Sequence, residues 1–386
     1  MTHPLEDFVH THESWLHEVI DALVSIESPT DDKAAVDRCG AEFRRRAAAI
    51  GMRVRVEARP DAGDHSVVEI GQGRPRILLV GHVDTVWPHG QIARMPLERK
   101  DGKLCGPGTL DMKVGVSMGL LATRAVFETA RPAVGTVAML VTSDEETGSD
   151  TSRALIEAEA LASDAVLVLE PALAGGPLKT SRKGIGQYHL AVTGVSAHAG
   201  VDPGKGVSAI RELARQIIAV ETLHELDRGV SVNVGVISGG TRPNVVAEEA
   251  HAVVDVRAPS LDDAARIDQA FQALRPILPG ARLVVTGGFE RPPMERSAGV
   301  VALYEHAQAA AAALGQTVAE GGTGGGSDGN FTAALGVPTL DGLGGVGDGA
   351  HAIHEHVELD KLVPRTALLA ALIARLLSPE GVLPAR

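Results

Sequence analysis

Residues 76–84, Arg-Ile-Leu-Leu-Val-Gly-His-Val-Asp, decide how the rest of the chain is read. Ile77–Val80 is a short unbroken apolar run, the pattern of a strand covered on both faces. It passes directly into Gly81-His82-Val83-Asp84. Two further runs repeat the arrangement: Thr136–Val141 leads into Thr142-Ser143-Asp144-Glu145-Glu146, and Ala165–Leu169 into Glu170-Pro171. Helical periodicity lies between them at Val114–Phe127 and Ser152–Ala160, and before them at Trp15–Ile26 and Ala34–Ile50, where Gly51 supplies a stop. Met52–Glu57 and Ser66–Ile70 are strand-like. Buried strands alternating with helices predict an α/β domain, a mainly parallel sheet covered by helices.

The texture changes near Leu178. Gly186–Thr193 alternates, Ser208–Leu226 is helical, Val230–Ile237 and Ala247–Arg257 alternate, Leu261–Leu278 is helical, and Arg282–Thr286 is a last strand. That β-α-β-β-α-β order predicts a ferredoxin-like module. Helical pattern then returns at Ala298–Leu314 and Leu359–Leu377, around a Gly-rich run at 321–329. The expected organisation is a discontinuous metal-binding domain, residues 1–178 and 290–386, interrupted by an inserted domain at 179–289.

Composition narrows the function. The 386 residues carry 36 Lys+Arg against 49 Asp+Glu, a net charge of −13, with aromatics at only 3%. Such a chain lacks both the cationic footprint and the stacking platforms of a nucleic-acid binder. Two cysteines, Cys39 and Cys105, make neither a disulfide framework nor a Cys-based zinc site. The start, Met1-Thr-His-Pro-Leu-Glu-Asp, is charged where a signal peptide needs an apolar run, and no stretch approaches the ~18 apolar residues of a membrane span. The expectation is a cytoplasmic enzyme.

The polar residues at the strand ends point to its chemistry. Ligands of open α/β sheets bind outside the carboxyl ends of the strands. Taken singly, each element has an ordinary reading. His82 and Asp84 could sit in a surface turn, Asp144-Glu145-Glu146 could be a solvated helix start, and Glu170 could merely end a strand. Together they would crowd negative charge into one crevice, and something must neutralise it. A divalent metal pair would do so. Asp111, in Gly108-Thr-Leu-Asp-Met-Lys113, is either a ligand or a helix cap. His351, in Gly347-Asp-Gly-Ala-His351, competes with His354 and His356 for one further ligand position.

On these motifs the chain resembles the M20 family of co-catalytic zinc peptidases and amidohydrolases, in texture its carboxypeptidase G2-like (glutamate carboxypeptidase) branch. The resemblance implies a ligand set of His82, Asp111, Glu146, Glu170 and His351, with Asp111 bridging two metals and Asp84 orienting His82. It implies two Zn2+ per chain, with Co2+ or Mn2+ as substitutes, and Glu145 as the general base that activates a metal-bridging water. Histidine and carboxylate ligands without Cys suit catalytic zinc. In the inserted domain it implies that His198 stabilises the oxyanion, in some members across a subunit boundary. Asn244, Arg257 and Gly325 become substrate contacts, Arg257 through its bidentate fork. For His198 the plain alternative is an exposed turn, and for Arg257 an outward-facing charge.

The implied activity is cleavage of an amide bond beside a free carboxylate, in a small peptide or N-acyl amino acid, by a homodimer joined through the inserted domain. A deacylase of the acetylornithine or succinyl-diaminopimelate type is the rival on the same fold, and a silent metal- or peptide-binding protein the rival of another class. Glutamate-preferring relatives carry a Lys early in the insert's first strand. Here the nearest position is Pro177, with Lys179, Arg182 or Lys183 as substitutes. Gly324-x-Gly326-x-x-Gly329 fits a dinucleotide fingerprint, but it lies far from any first strand-helix unit.

Overall fold

A computed structural model describes residues 3–384. Met1 and Thr2, which begin the segment weighed above as a signal peptide, lie outside the described residues. The chain forms two compact units. One comprises Met1–Ser181, Arg296–Thr323 and Ser327–Arg386; the other comprises Arg182–Glu295 and Gly324–Gly326.

The first unit is built on a six-stranded sheet in the order Arg53–Glu57, His65–Gln72, Gly135–Thr142, Arg76–His82, Ala165–Val168, Thr339–Leu340. The last four run parallel to one another, and the first two are antiparallel additions at one edge. Alternate side chains divide between two cores. Ile77, Leu79, Val137, Met139 and Leu167 pack against helices Glu13–Val24, Val114–Ala125 and Leu359–Leu376. Leu78, Val80, Ala138, Leu140 and Val166 pack on the other side with Ile156 and Phe331. Covering on both faces is why these strands read as unbroken apolar runs.

Register places the site. His82 lies opposite Thr142, and Val80 lies beside Val168, so three neighbouring strands end together and release their polar segments at one edge. The helix Val114–Ala125 closes tightly on that edge: a Cβ on Gly115 would stand 2.0 Å from the Leu169 carbonyl oxygen, just before Glu170. Only glycine permits that approach.

The second unit is a four-stranded antiparallel sheet in the order Ser231–Gly239, Glu249–Ala258, Gly184–Thr193, Arg282–Arg291, with helices Ala209–Glu221 and Leu261–Ala273 on one face. This is the ferredoxin-like arrangement. Ser208 and Ser260 cap the two helices, each accepting a backbone N–H. The second helix stops five residues before the expected Leu278, with Leu274 already extended, because Arg275 precedes Pro276 and is disfavoured from helical geometry. Periodicity also missed the helix Pro4–Thr11 and a small sheet of Glu98–Lys100, Lys103–Cys105, Gly347–Asp348 and His356–Glu358, whose strands are two or three residues long.

Candidate metal centre

The five predicted ligands meet at the carboxyl edge of the first unit's sheet. His82 Nε2 lies 3.2 Å from Asp111 Oδ1 and 3.6 Å from Glu170 Oε1. His351 Nε2 lies 3.4 Å from Asp111 Oδ2 and 3.1 Å from Glu146 Oε2. Asp111 therefore turns one oxygen toward each histidine. Ligand atoms of His82, Asp111 and Glu146 fall within 4.8 Å of one another, as do those of His82, Glu145 and Glu170. His354 and His356 do not join them. His351 and His354 are both exposed, so it is the contacts of His351 with Asp111 and Glu146 that separate them, and His356 is engaged in the small sheet with its Nδ1 2.8 Å from the His354 carbonyl oxygen.

Each position follows from local structure. His82 ends its strand, Glu145 and Glu146 open a short turn after theirs, and Asp111 sits in the loop before the Val114–Ala125 helix. Asp144 does not face the cluster. Its Oδ2 accepts from Thr151 N, Thr151 Oγ1 and Ser152 N at 2.7, 2.7 and 3.2 Å, pinning the loop that presents its two neighbours. Asp84 meets His82 through both its backbone and its side chain. His82 Nδ1 lies 3.0 Å from the Asp84 backbone oxygen, whereas carboxylate Oδ1 is at 3.4 Å. The other carboxylate oxygen accepts from Thr30 Oγ1 at 2.8 Å and Glu146 N at 3.2 Å, so Asp84 also fixes the Glu146 segment.

The electrostatics are those of a cage that wants cations. Burial acts to lower the His82 pKa, but Asp111, Asp84 and Glu170 outweigh it and hold the ring well above its ordinary value. Asp111 and Glu146 push His351 up to about 10. Burial raises Glu146, whereas in Asp111 the two histidines override burial and depress the carboxyl. Glu146 Oε1 is buried without a hydrogen-bond partner among the described residues. That orphaned oxygen, with the Asp111 and Glu170 carboxylates and two histidines, belongs to a donor set that fits divalent metal ions.

The remaining candidates lie in the second unit. His198 is exposed, and its Nδ1 accepts from Gly200 N and Val201 N at 3.1 and 3.2 Å, so the ring's proton sits on Nε2. Asn244 is its neighbour: His198 bridges Val245, and Ala199 N donates to the Asn244 carbonyl at 3.0 Å. Arg257 is elsewhere. It pairs with Ile185, at the far end of the strand whose other end, Thr193, pairs with Glu249; eight residues of strand span about 26 Å. Its Nε and Nη2 donate to Asp255 at 3.0 and 2.8 Å. Gly325 offers its carbonyl to Arg182 Nη1 at 3.1 Å. The glycine run around it follows the strand Glu320–Thr323, outside the six-stranded sheet, and leads into a helix of six residues, which is not the setting of a dinucleotide fingerprint. Of the proposed substitutes for the missing Lys, Lys179 and Arg182 are buried and Lys183 is half-buried.

Sequence reasoning passed over Thr30 and Glu355, both of which brace the ligands. Neither carries a local signal, since a glutamate four residues beyond a histidine is ordinarily solvated. No described helix is long and apolar enough to cross a membrane.

The model of peptidase family M20/M25/M40 matches residues 78–375. Carboxypeptidase G2 of Pseudomonas sp. (strain RS-16) is 31% identical over 92% of this chain and 88% of its own length. Succinyl-diaminopimelate desuccinylase of Xanthomonas oryzae pv. oryzae is 31% identical over 80% of this chain and 85% of its own. Among solved structures, aminopeptidase PepT of Bacillus cereus superposes with a TM-score of 0.78 at 24% identity, covering 94% of this chain and 98% of that one, a likeness of fold.

Proposed function

This chain belongs to peptidase family M20/M25/M40 and is a hydrolytic enzyme, and from that premise we propose that it is a two-zinc carboxypeptidase cleaving an amide bond beside a free carboxylate. The observation that carries the proposal is Asp111, whose two oxygens face two different histidines. His82, Asp111 and Glu170 would hold one Zn2+, and His351, Asp111 and Glu146 the other, with Co2+ or Mn2+ able to stand in. Bound there, a metal pair lowers the pKa of a shared water toward ~7 and polarises the scissile carbonyl.

The chain's own residues do the rest. The Glu145 carboxylate, beside His82 and Glu170, takes the proton of the attacking water and delivers one to the departing amine nitrogen. Asp84 keeps the His82 ring in the tautomer whose Nε2 faces the cluster. His198, with its proton on Nε2, donates to the oxyanion. Arg257 grips the free carboxylate through the edge that Asp255 leaves open, and Gly325 adds a backbone contact to substrate.

The same reading includes a cytoplasmic homodimer joined through the insert. Arg257 lies about eight strand residues, some 26 Å, from Glu249 at the strand end nearer in sequence to Asn244, a separation that favours the two ends of one insert serving different sites. A second copy supplies the missing end. The edge strand Ser231–Gly239 offers the surface, with Val236 and Ile237 60% and 65% exposed.

A deacylase is the second reading, favoured by the desuccinylase relative and by Pro177 at the position of the expected Lys. One experiment tests both: elemental analysis of the purified protein, then hydrolysis of a panel of dipeptides and N-acyl amino acids. About two zinc ions per chain and chelator-sensitive release of a free amino acid are expected. Absence of metal, or no hydrolysis across the panel, overturns the proposal, and the preferred acyl group separates the two readings.

A further inference from the structure

Glu355 is 1% exposed, and its carboxylate accepts four N–H donors. Oε1 receives Leu110 N at 2.9 Å and Asp111 N at 3.2 Å. Oε2 receives Trp87 Nε1 at 2.8 Å and Gly108 N at 3.0 Å. These donors come from two separate segments, the 108–111 loop that carries the bridging Asp111 and the chain just beyond His82-Val83-Asp84. Glu355 itself follows His351 by four residues. One carboxylate thus ties together the three segments that present His82, Asp111 and His351.

We propose that Glu355 is the positioning residue of the metal centre, the group that sets the spacing between the bridging carboxylate and the two histidines. The inference rests on the metal-centre reading above. Two features argue for a role beyond packing. The Asp111 backbone N–H is itself one of the bound donors, so the ligand is fixed at its root. His351 adopts φ 61°, in the left-handed region that few non-glycine residues occupy, so the geometry of the segment that Glu355 anchors is specific.

A carboxylate is required because all four partners donate. A glutamine at this position would present one oxygen and one NH2. Whichever way it turned, the NH2 would face two N–H groups, leaving buried donors without an acceptor. The loop would have to move, and Asp111 with it.

The test is a competition titration of Zn2+ into metal-free protein against a chromophoric chelator, with circular dichroism to verify folding. Glu355→Gln is expected to fold and to lose zinc affinity by roughly 10–100-fold, the effect typical of groups that orient ligands. An affinity equal to wild type, with or without a lower melting temperature, would reduce Glu355 to a packing residue and overturn the proposal. Should Glu355→Gln fail to fold, Trp87→Phe removes one donor and leaves the carboxylate. A several-fold loss of affinity is then expected, and an unchanged affinity overturns the proposal. Wild-type protein that takes up no zinc would sink the metal-centre reading itself, a result distinct from a variant that matches the wild type.

Discussion

The candidate residues of the two units are held in opposite ways. In the sheet unit, His82, Asp84 and Glu170 are buried, Asp111 and Glu146 half-buried, and even the exposed His351 is held between two carboxylates, so that side chains from five segments lock one another in place. In the insert, His198 and Asn244 are exposed, and what fixes them is backbone: a bridge to Val245 and two N–H groups on the His198 ring. The difference follows from what each set must do. Metal ligands carry concentrated charge whose geometry has to exist before the metal arrives, and burial with cross-bonding supplies it. Groups that meet a substrate can stay in water until it comes, at a cost in ordering paid on binding.

That contrast is most sharply broken at Glu145, the residue that shares the buried cluster yet is assigned to chemistry instead of metal. Glu145→Gln should keep the full metal content and lower kcat by about 10²–10⁴. Steady-state kinetics beside elemental analysis decide it, and loss of metal in step with activity would make Glu145 a ligand. His198→Ala should likewise leave metal untouched and lower kcat by about 10²–10³, the effect of deleting one oxyanion donor. If the insert acts on its partner's site, mixing the two inactive variants and allowing subunits to exchange restores about a quarter of wild-type activity, because half the dimers are mixed and each holds one intact site. No recovery in a mixture shown to contain mixed dimers places His198 in its own chain's site.

A smaller effect is expected at Arg257. Asp255 holds its Nε/Nη2 edge, which pre-orients the guanidinium and leaves the other edge for a ligand. Arg257→Lys keeps the charge and removes the fork, so KM should rise about tenfold with kcat largely retained. An equal loss in kcat would mean that Arg257 is felt only in the transition state.

Legibility in the sequence followed the same division. The parallel sheet was readable because its strands are buried on both faces, and Ile77–Val80 and Ala165–Leu169 have no polar alternation to blur them. The candidate ligands were readable because His82, Glu146 and Glu170 follow the runs Ile77–Val80, Thr136–Val141 and Ala165–Leu169 within a few residues. Asp84 was legible as a neighbour of His82, but the closer of its two contacts comes from its backbone carbonyl, which no side-chain pattern announces. Glu355 was invisible because its four donors are 244 or more residues away along the chain. In the insert, the β-α-β-β-α-β order was clear. The separation of Arg257 from His198 was not, since it depends on which ends of the antiparallel strands pair.

The insert holds a counterpart to Glu355, and it gives the mildest and most selective test. Glu212 is fully buried and accepts from Ile277 N at 2.9 Å, Leu278 N at 2.7 Å and Gln216 Nε2 at 2.6 Å. Burial pushes its carboxyl up, but the Gln216, Ile277 and Leu278 donors prevail and hold it below its ordinary 4.5. A carboxyl depressed in the folded state stabilises it at pH values above 4.5, and that stabilisation drains away as pH falls through the folded value. Glu212→Gln should therefore lower the melting temperature by a few degrees at pH 7, with the gap to wild type closing as the solution is acidified. Zinc affinity should not change, because the loop that Glu212 braces presents no ligand. Two buried glutamates that both collect backbone N–H groups would then part company in one experiment, the first read out in metal binding and the second only in stability. A zinc defect in Glu212→Gln equal to that of Glu355→Gln would mean that loosening any loop of this protein disturbs the centre, and the distinction between the two units would fall.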